Sequence, residues 1–84
     1  LVVYQGVTVG ADIHLRYPDI GEGVALFSKS SVLGNAVVED NCAVGAGVQV
    51  YGSRIASNSA VSSRGQSSLV VTPLKWSVKE RFFI

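Results

Sequence analysis

Stepping through the chain in sixes from Ile20 gives Ile20, Leu26, Val32, Val38, Val44, Val50 and Ala56, an apolar residue at every step. A strand repeats its side-chain direction every two residues and an α-helix every 3.6, so neither alone accounts for six. A chain that turns a corner after each short strand does account for it, because each hexad then presents one residue inward. The other hexad positions agree. Four residues after each aliphatic come Val24, Ser30, Ala36, Cys42, Val48, Arg54 and Ala60, mostly small. Three residues after come Gly23, Lys29, Asn35, Asn41, Gly47, Ser53 and Ser59, rich in the Gly and Asn that tolerate positive φ.

Three hexads make one triangular coil of about 18 residues, and stacked coils pair their strands in parallel at about 4.8 Å. The register extends back to Val7 and Ile13, but Ile13 and Ile20 are seven apart, so one extra loop residue is expected in "HLRYPD", residues 14–19. Loops that leave a rigid coil are where function concentrates.

With 84 residues the chain is at most one domain, and a domain this short buries a small share of its surface. Copies of itself or a partner segment are therefore expected. The formal charge is +1 and the basic residues are scattered, which gives no footprint of nucleic-acid or anionic-membrane binding. No apolar run approaches a membrane span and no signal peptide opens the chain, so a cytoplasmic location is the default. The single cysteine, Cys42, excludes a disulfide framework within one chain and a cysteine-based metal site, and it fits as a small interior residue. Methionine is absent and the first residue is Leu1, so a natural start is expected to lie outside these residues or to have been removed.

The segments "QGVTVGA" at 5–11, "RYPDI" at 16–20 and "LGN" at 33–35 resemble the C-terminal β-helix of serine O-acetyltransferases, in the hexapeptide-repeat acyltransferase superfamily. "SRGQSSLVVTPLKWSVKERFF", residues 63–83, is similar to the tail of some of these enzymes. The fold expected is all-β, a left-handed parallel β-helix of about four 18-residue coils over residues 1–72. Residues 73–84 are expected to form a short capping segment, in which Trp76, Val78, Phe82 and Phe83 give an amphipathic helix over the last coil or a neighbouring subunit. The opposite end, residues 1–6, begins inside a coil and leaves an open strand edge.

The resemblance implies a homotrimer, with an end-to-end hexamer as an extension, and acetyl-CoA as cosubstrate in the groove between adjacent β-helices. Gly10, Ala11, Ser28 and Ala46 match the small residues beside which the pantetheine arm reaches the main chain. Small residues are also what hexad corners require. Phe27, where relatives usually carry glycine, narrows the groove. Arg16 matches an arginine able to pair with an acceptor carboxylate, and Tyr17 stands where relatives place an acceptor-binding histidine.

The family's catalytic histidine belongs in the coil before Leu1, so these residues do not contain it. His14, the one histidine present, sits in the extra-residue loop near Asp12 and Asp19. It is either a replacement general base or a plain surface histidine. One histidine per chain does not suit the three-histidine zinc site of a γ-type carbonic anhydrase, and no Walker, dinucleotide or metalloprotease motif occurs. Two readings follow. One is an acetyl-CoA-dependent O-acetyltransferase domain acting on a small-molecule hydroxyl, as in cysteine biosynthesis; the other is a non-catalytic trimeric scaffold derived from such an enzyme.

Overall fold

Each corner of the coil turns on a residue with positive φ. Gly6 (79°), Lys29 (61°) and Gly47 (73°) occupy one corner, Gly34 (68°) and Gly52 (63°) the second, and Gly23 (67°), Asn41 (56°) and Asn58 (58°) the third. Such a residue reverses the chain within one step, which keeps the intervening strands to two or three residues. The computed structural model describes residues 1–64 and 68–82. β1 (Val2–Val3), β2 (Thr8–Gly10) and β3 (Asp19–Ile20) form the first layer. β4 (Ala25–Leu26), β5 (Ser31–Leu33) and β6 (Val37–Val38) form the second, and β7 (Cys42–Val44), β8 (Gln49–Tyr51) and β9 (Arg54–Ile55) the third. β10 (Ser59–Arg64) starts a fourth layer, β11 (Ser68–Pro73) returns beside it, and α1 (Val78–Phe82) follows.

Each strand of the first two layers pairs in parallel with the strand three places on, and β7 pairs in the same way with β10. The sheet β1-β4-β7-β10 is face A, β2-β5-β8 is face B and β3-β6-β9 is face C. The chain is thus mostly strand, in parallel sheets, with one short helix among the described residues. Three layers are complete and the fourth has one parallel strand, because β11 pairs antiparallel with β10 from Ser59↔Pro73 to Arg64↔Ser68. About four coils were expected, and among the described residues this strand is what the fourth contributes.

The inward columns are those the period of six selects. Leu26, Val32, Val44 and Val50 are fully buried, and Val38 is 1% exposed. Burying each such side chain contributes about 1.5–3 kcal/mol, before the entropy of ordering the chain is subtracted. Leu69 of β11 packs against the same core. At the other end, Val3 and Val9 remain about half exposed.

Two parts of the expected register do not hold. Thr8 pairs with Ser31 and Asp19 with Val37, so the first coil carries a five-residue excess between β2 and β3, not one. Ile13 accordingly leaves the ladder and is 91% exposed. Val37 pairs with Arg54 and Ala43 with Ala60, which makes the third coil 17 residues long. Ile55 therefore takes the inward place expected for Ala56, which is exposed. Positive φ falls correspondingly on Gly52 and Asn58 instead of Ser53 and Ser59, and on Gly34 instead of Asn35.

The tail packs against the side of the stack. Ala25, Ala43 and Ala60 lie in register along the outside of face A, and their small side chains leave room for a covering layer. Val78, fully buried, fills that room together with Leu74 and Trp76, and Phe27 and Val2 complete the cluster. Asn41 fastens the tail. Its Oδ1 accepts the Val78 N–H at 2.7 Å, and its Nδ2 donates to Trp76 O at 3.2 Å and to Asn58 Oδ1 at 2.8 Å. Arg81 stands over the Trp76 ring at 4.6 Å. Phe83 and the side chain of Phe82, also assigned to this cap, lie outside what is described.

Candidate functional site

The residues singled out in the sequence frame face B from its two edges. Ser28 and Ala46 occupy equivalent turns at the corner between faces A and B, 18 residues apart, and the Ser28 carbonyl accepts the Gly47 N–H at 3.0 Å. Gly10 and Ala11 end β2 at the corner between faces B and C, where the Gly10 carbonyl accepts the Gly34 N–H at 3.0 Å. His14, Arg16 and Tyr17 follow in the loop that springs from that second corner. The structure therefore groups Gly10 and Ala11 with the loop, and Ser28 with Ala46 across the width of face B.

At Gly10 the small residue is not imposed by the fold. Its φ is not positive, and a Cβ there would meet only Leu33 Cδ2 at 3.6 Å, an ordinary contact. Ala46 is exposed, so its turn also has space for a larger side chain. Phe27 lies beside Ser28 in sequence but joins the outer cluster of face A. Its ring is 4.9 Å from that of Tyr4, tilted by 48°.

Asp12 organises the loop. Its Oδ1 accepts the backbone N–H groups of His14 at 2.8 Å and Arg16 at 3.1 Å, and its Oδ2 accepts Arg16 Nε at 2.7 Å. Backbone bonds from Asp12 N to Arg16 O and from Leu15 N to Asp12 O close the turn, with Leu15 at φ 58°. Desolvation would raise the Asp12 carboxyl. The Arg16 and His14 backbone N–H groups and the Arg16 guanidinium outweigh it and hold the group below its ordinary 3.8. Arg16, matched by resemblance to an acceptor-binding arginine, is thus engaged by its own loop, with about half its side chain exposed. His14 is exposed, and Asp12 holds its backbone; among the described residues no hydrogen bond reaches its imidazole. The sequence signal for this staple is an aspartate four residues before an arginine, in a segment that breaks the period.

A wide cleft lies elsewhere. About 560 Å³ in volume, it runs between the corner joining faces C and A and the tail, bordered by Glu22, Asp40, Asn41, Trp76 and Lys79. A second hollow, of about 380 Å³, lies on face C beside the Arg54–Glu39 ion pair. None of Gly10, Ala11, His14, Arg16, Tyr17, Ser28 or Ala46 borders either. Both hollows are open surface features of one chain, whereas a groove between two chains cannot show as a cavity in one, so size does not choose the site here.

Cys42 is fully buried in the core, where its Sγ lies 3.2 Å from Ala56 O. Burial pushes its thiol above the ordinary 9.0, opposed by the Ser59 N–H and reinforced by Glu39 and Asp40. Among the described residues no group of three His, Cys, Asp or Glu is placed to hold a metal ion, and no helix is long and apolar enough to cross a membrane.

Two serine acetyltransferases, from two strains of Staphylococcus epidermidis, are each 41% identical to the chain over 49 residues. The match covers 55% of this chain and 23% of each relative. No family model matches, and no solved structure matches at comparable stringency. Over that stretch the chain is similar to serine acetyltransferases, which supports an acyltransferase relationship.

Proposed function

We propose that this chain is the left-handed β-helix portion of an acetyl-CoA-dependent O-acetyltransferase of the serine type, a cytoplasmic homotrimer. The observation that carries this reading is the 41% identity to serine acetyltransferases over 49 residues, in a chain folded as three-sided parallel coils. In this reading the coil domain spans residues 1–72 and the tail segment residues 73–84. The pantetheine arm of acetyl-CoA runs beside Ser28 and Ala46, and Gly10 and Ala11 give the thioester end access to main chain near the loop. That Gly10 and Ala46 are small where the fold has room for more supports this placement.

In the transfer, a base takes the proton of the acceptor hydroxyl as its oxygen attacks the thioester carbonyl. The tetrahedral adduct then collapses, expelling the thiolate of coenzyme A, which takes up the proton. Arg16 and Tyr17 hold the acceptor. We place the base outside these 84 residues, since among the described residues no hydrogen bond reaches the His14 imidazole.

Calorimetric titration with coenzyme A tests the reading, since binding does not require the base. The expected result is saturable binding near one site per chain, weakened at least tenfold by Ala46→Trp, a substitution at an exposed turn. Absence of heat at millimolar ligand contradicts it and leaves a scaffold without transferase chemistry.

A further inference from the structure

We infer that Asp12 is a positioning residue that acts through Arg16: by accepting the Nε–H it turns the two Nη groups outward, as an end-on clamp for a carboxylate of the acceptor. This rests on the acceptor part of the reading above. The turn itself does not need the contact. Asp12 Oδ1 already accepts the backbone N–H groups of His14 and Arg16, and the bonds from Asp12 N to Arg16 O and from Leu15 N to Asp12 O close the loop. Oδ2 is left over, and it takes the Arg16 side chain at 2.7 Å. An ion pair whose arginine is 52% exposed adds little stability, so holding the fold together does not account for it. What the bond fixes is direction. A guanidinium is a planar fork of five N–H donors, and with its Nε–H taken the side-on edge is closed and the edge formed by the two Nη groups remains. Among the described residues no hydrogen bond or second ion pair engages those groups.

Asp12 is itself held against the coil. Its side chain is 1% exposed, and Gly34 of the second layer lies beside it, where a Cβ would stand 3.4 Å from Asp12 Cβ and Oδ2. The Gly34 N–H is bonded to Gly10 O at 3.0 Å, which ties the carboxylate to the corner that carries Gly10 and Ala11. The direction of the clamp is thus set by the rigid coil, and little side-chain entropy remains to be lost when a ligand binds. Asp12 also offsets the charge of Arg16, so anions are not drawn here by net charge. The planar pair of donors selects instead by shape, for a flat group that carries two oxygens, which is a carboxylate.

Backbone amide and arginine Nε–H resonances, followed during titration with L-serine, test this. Serinol, in which a hydroxymethyl group replaces the carboxylate, is the paired probe. Asp12→Asn keeps an oxygen for the two backbone N–H groups but puts an amide nitrogen where Oδ2 stood, so it releases the Arg16 side chain and spares the turn. The variant is expected to bind L-serine about tenfold more weakly and to lose the downfield Arg16 Nε–H resonance, with the His14 and Arg16 amides in place. Serinol should bind both proteins equally weakly. In an Arg16→Lys background Asp12→Asn should have no further effect, whereas a loop that merely loosens lowers affinity in either background, which keeps the test valid if the amides move. Equal L-serine affinity with and without Asp12→Asn, additive effects of the two substitutions, or L-serine bound no better than serinol overturns the inference. Coenzyme A heat separates the two failures: where it is present only the acceptor clamp falls, and where it is absent the transferase reading falls as well.

Discussion

Ser30 places a hydroxyl in the interior of the coil, one position before the paired residues Thr8, Ser31 and Gln49. It is fully buried, and among the described residues its Oγ has no hydrogen-bond partner. An unmade hydrogen bond in the interior is costly, so Ser30→Ala should leave stability unchanged or raise it by up to about 1 kcal/mol in urea unfolding. A clear loss of stability would mean the hydroxyl has a partner in solution. Asp12 is the opposite case, a side chain 1% exposed whose acceptors are all in use. Its folded carboxyl titrates below the ordinary 3.8, so the stability it gives the loop is present above that pH and is lost as pH falls through the lowered value. The amide resonances of His14 and Arg16 should therefore hold steady from pH 7 to about 4 and move together only in stronger acid. Movement already complete well above pH 4 would show that Asp12 does not govern the loop.

Among the elements, the strands and corners were the most readable in the sequence, because one inward aliphatic per hexad is a strict demand of a triangular coil. Residues 20–50 follow it without a break, and Leu26, Val32, Val44 and Val50 are all fully buried. The period misplaced residues where coil length changes. Ile13 is apolar and correctly spaced from Val7, yet the Asp12 staple pulls it into a loop; Ile55 and Ala56 are both apolar, so spacing alone could not choose between them. The tail was legible as a cover but not in its destination. That is set by an alanine column along the outside of face A, and in sequence those alanines look like any small hexad residue. Asn41, assigned only as a turn residue, turns out to fasten the tail as well. Asn41→Ala should destabilise the protein by about 1–3 kcal/mol and move the emission of Trp76, the single tryptophan, to the red as the tail loosens. Unchanged emission would show that Val78 packing alone keeps the tail in place.

For the molecule as a whole, the arrangement of faces carries the functional account. The tail occupies face A and charges mark face C, which leaves face B and its two edges, where small residues and the stapled loop lie. The candidate residues fell into two groups across that face because the resemblance matched positions in sequence, and a coil places positions 18 apart together but those at different corners apart. The competing site is the 560 Å³ cleft beside the tail, which a reading by cavity size alone would prefer. The measurement that separates them is amide chemical-shift mapping of the protein during titration with coenzyme A. The account predicts the largest shifts at Gly10, Ala11, Ser28, Ala46 and Gly47, with Gly23, Asn41 and Ser77 unmoved. Shifts centred on Gly23, Asn41 and Ser77, or none at saturating ligand, would contradict it.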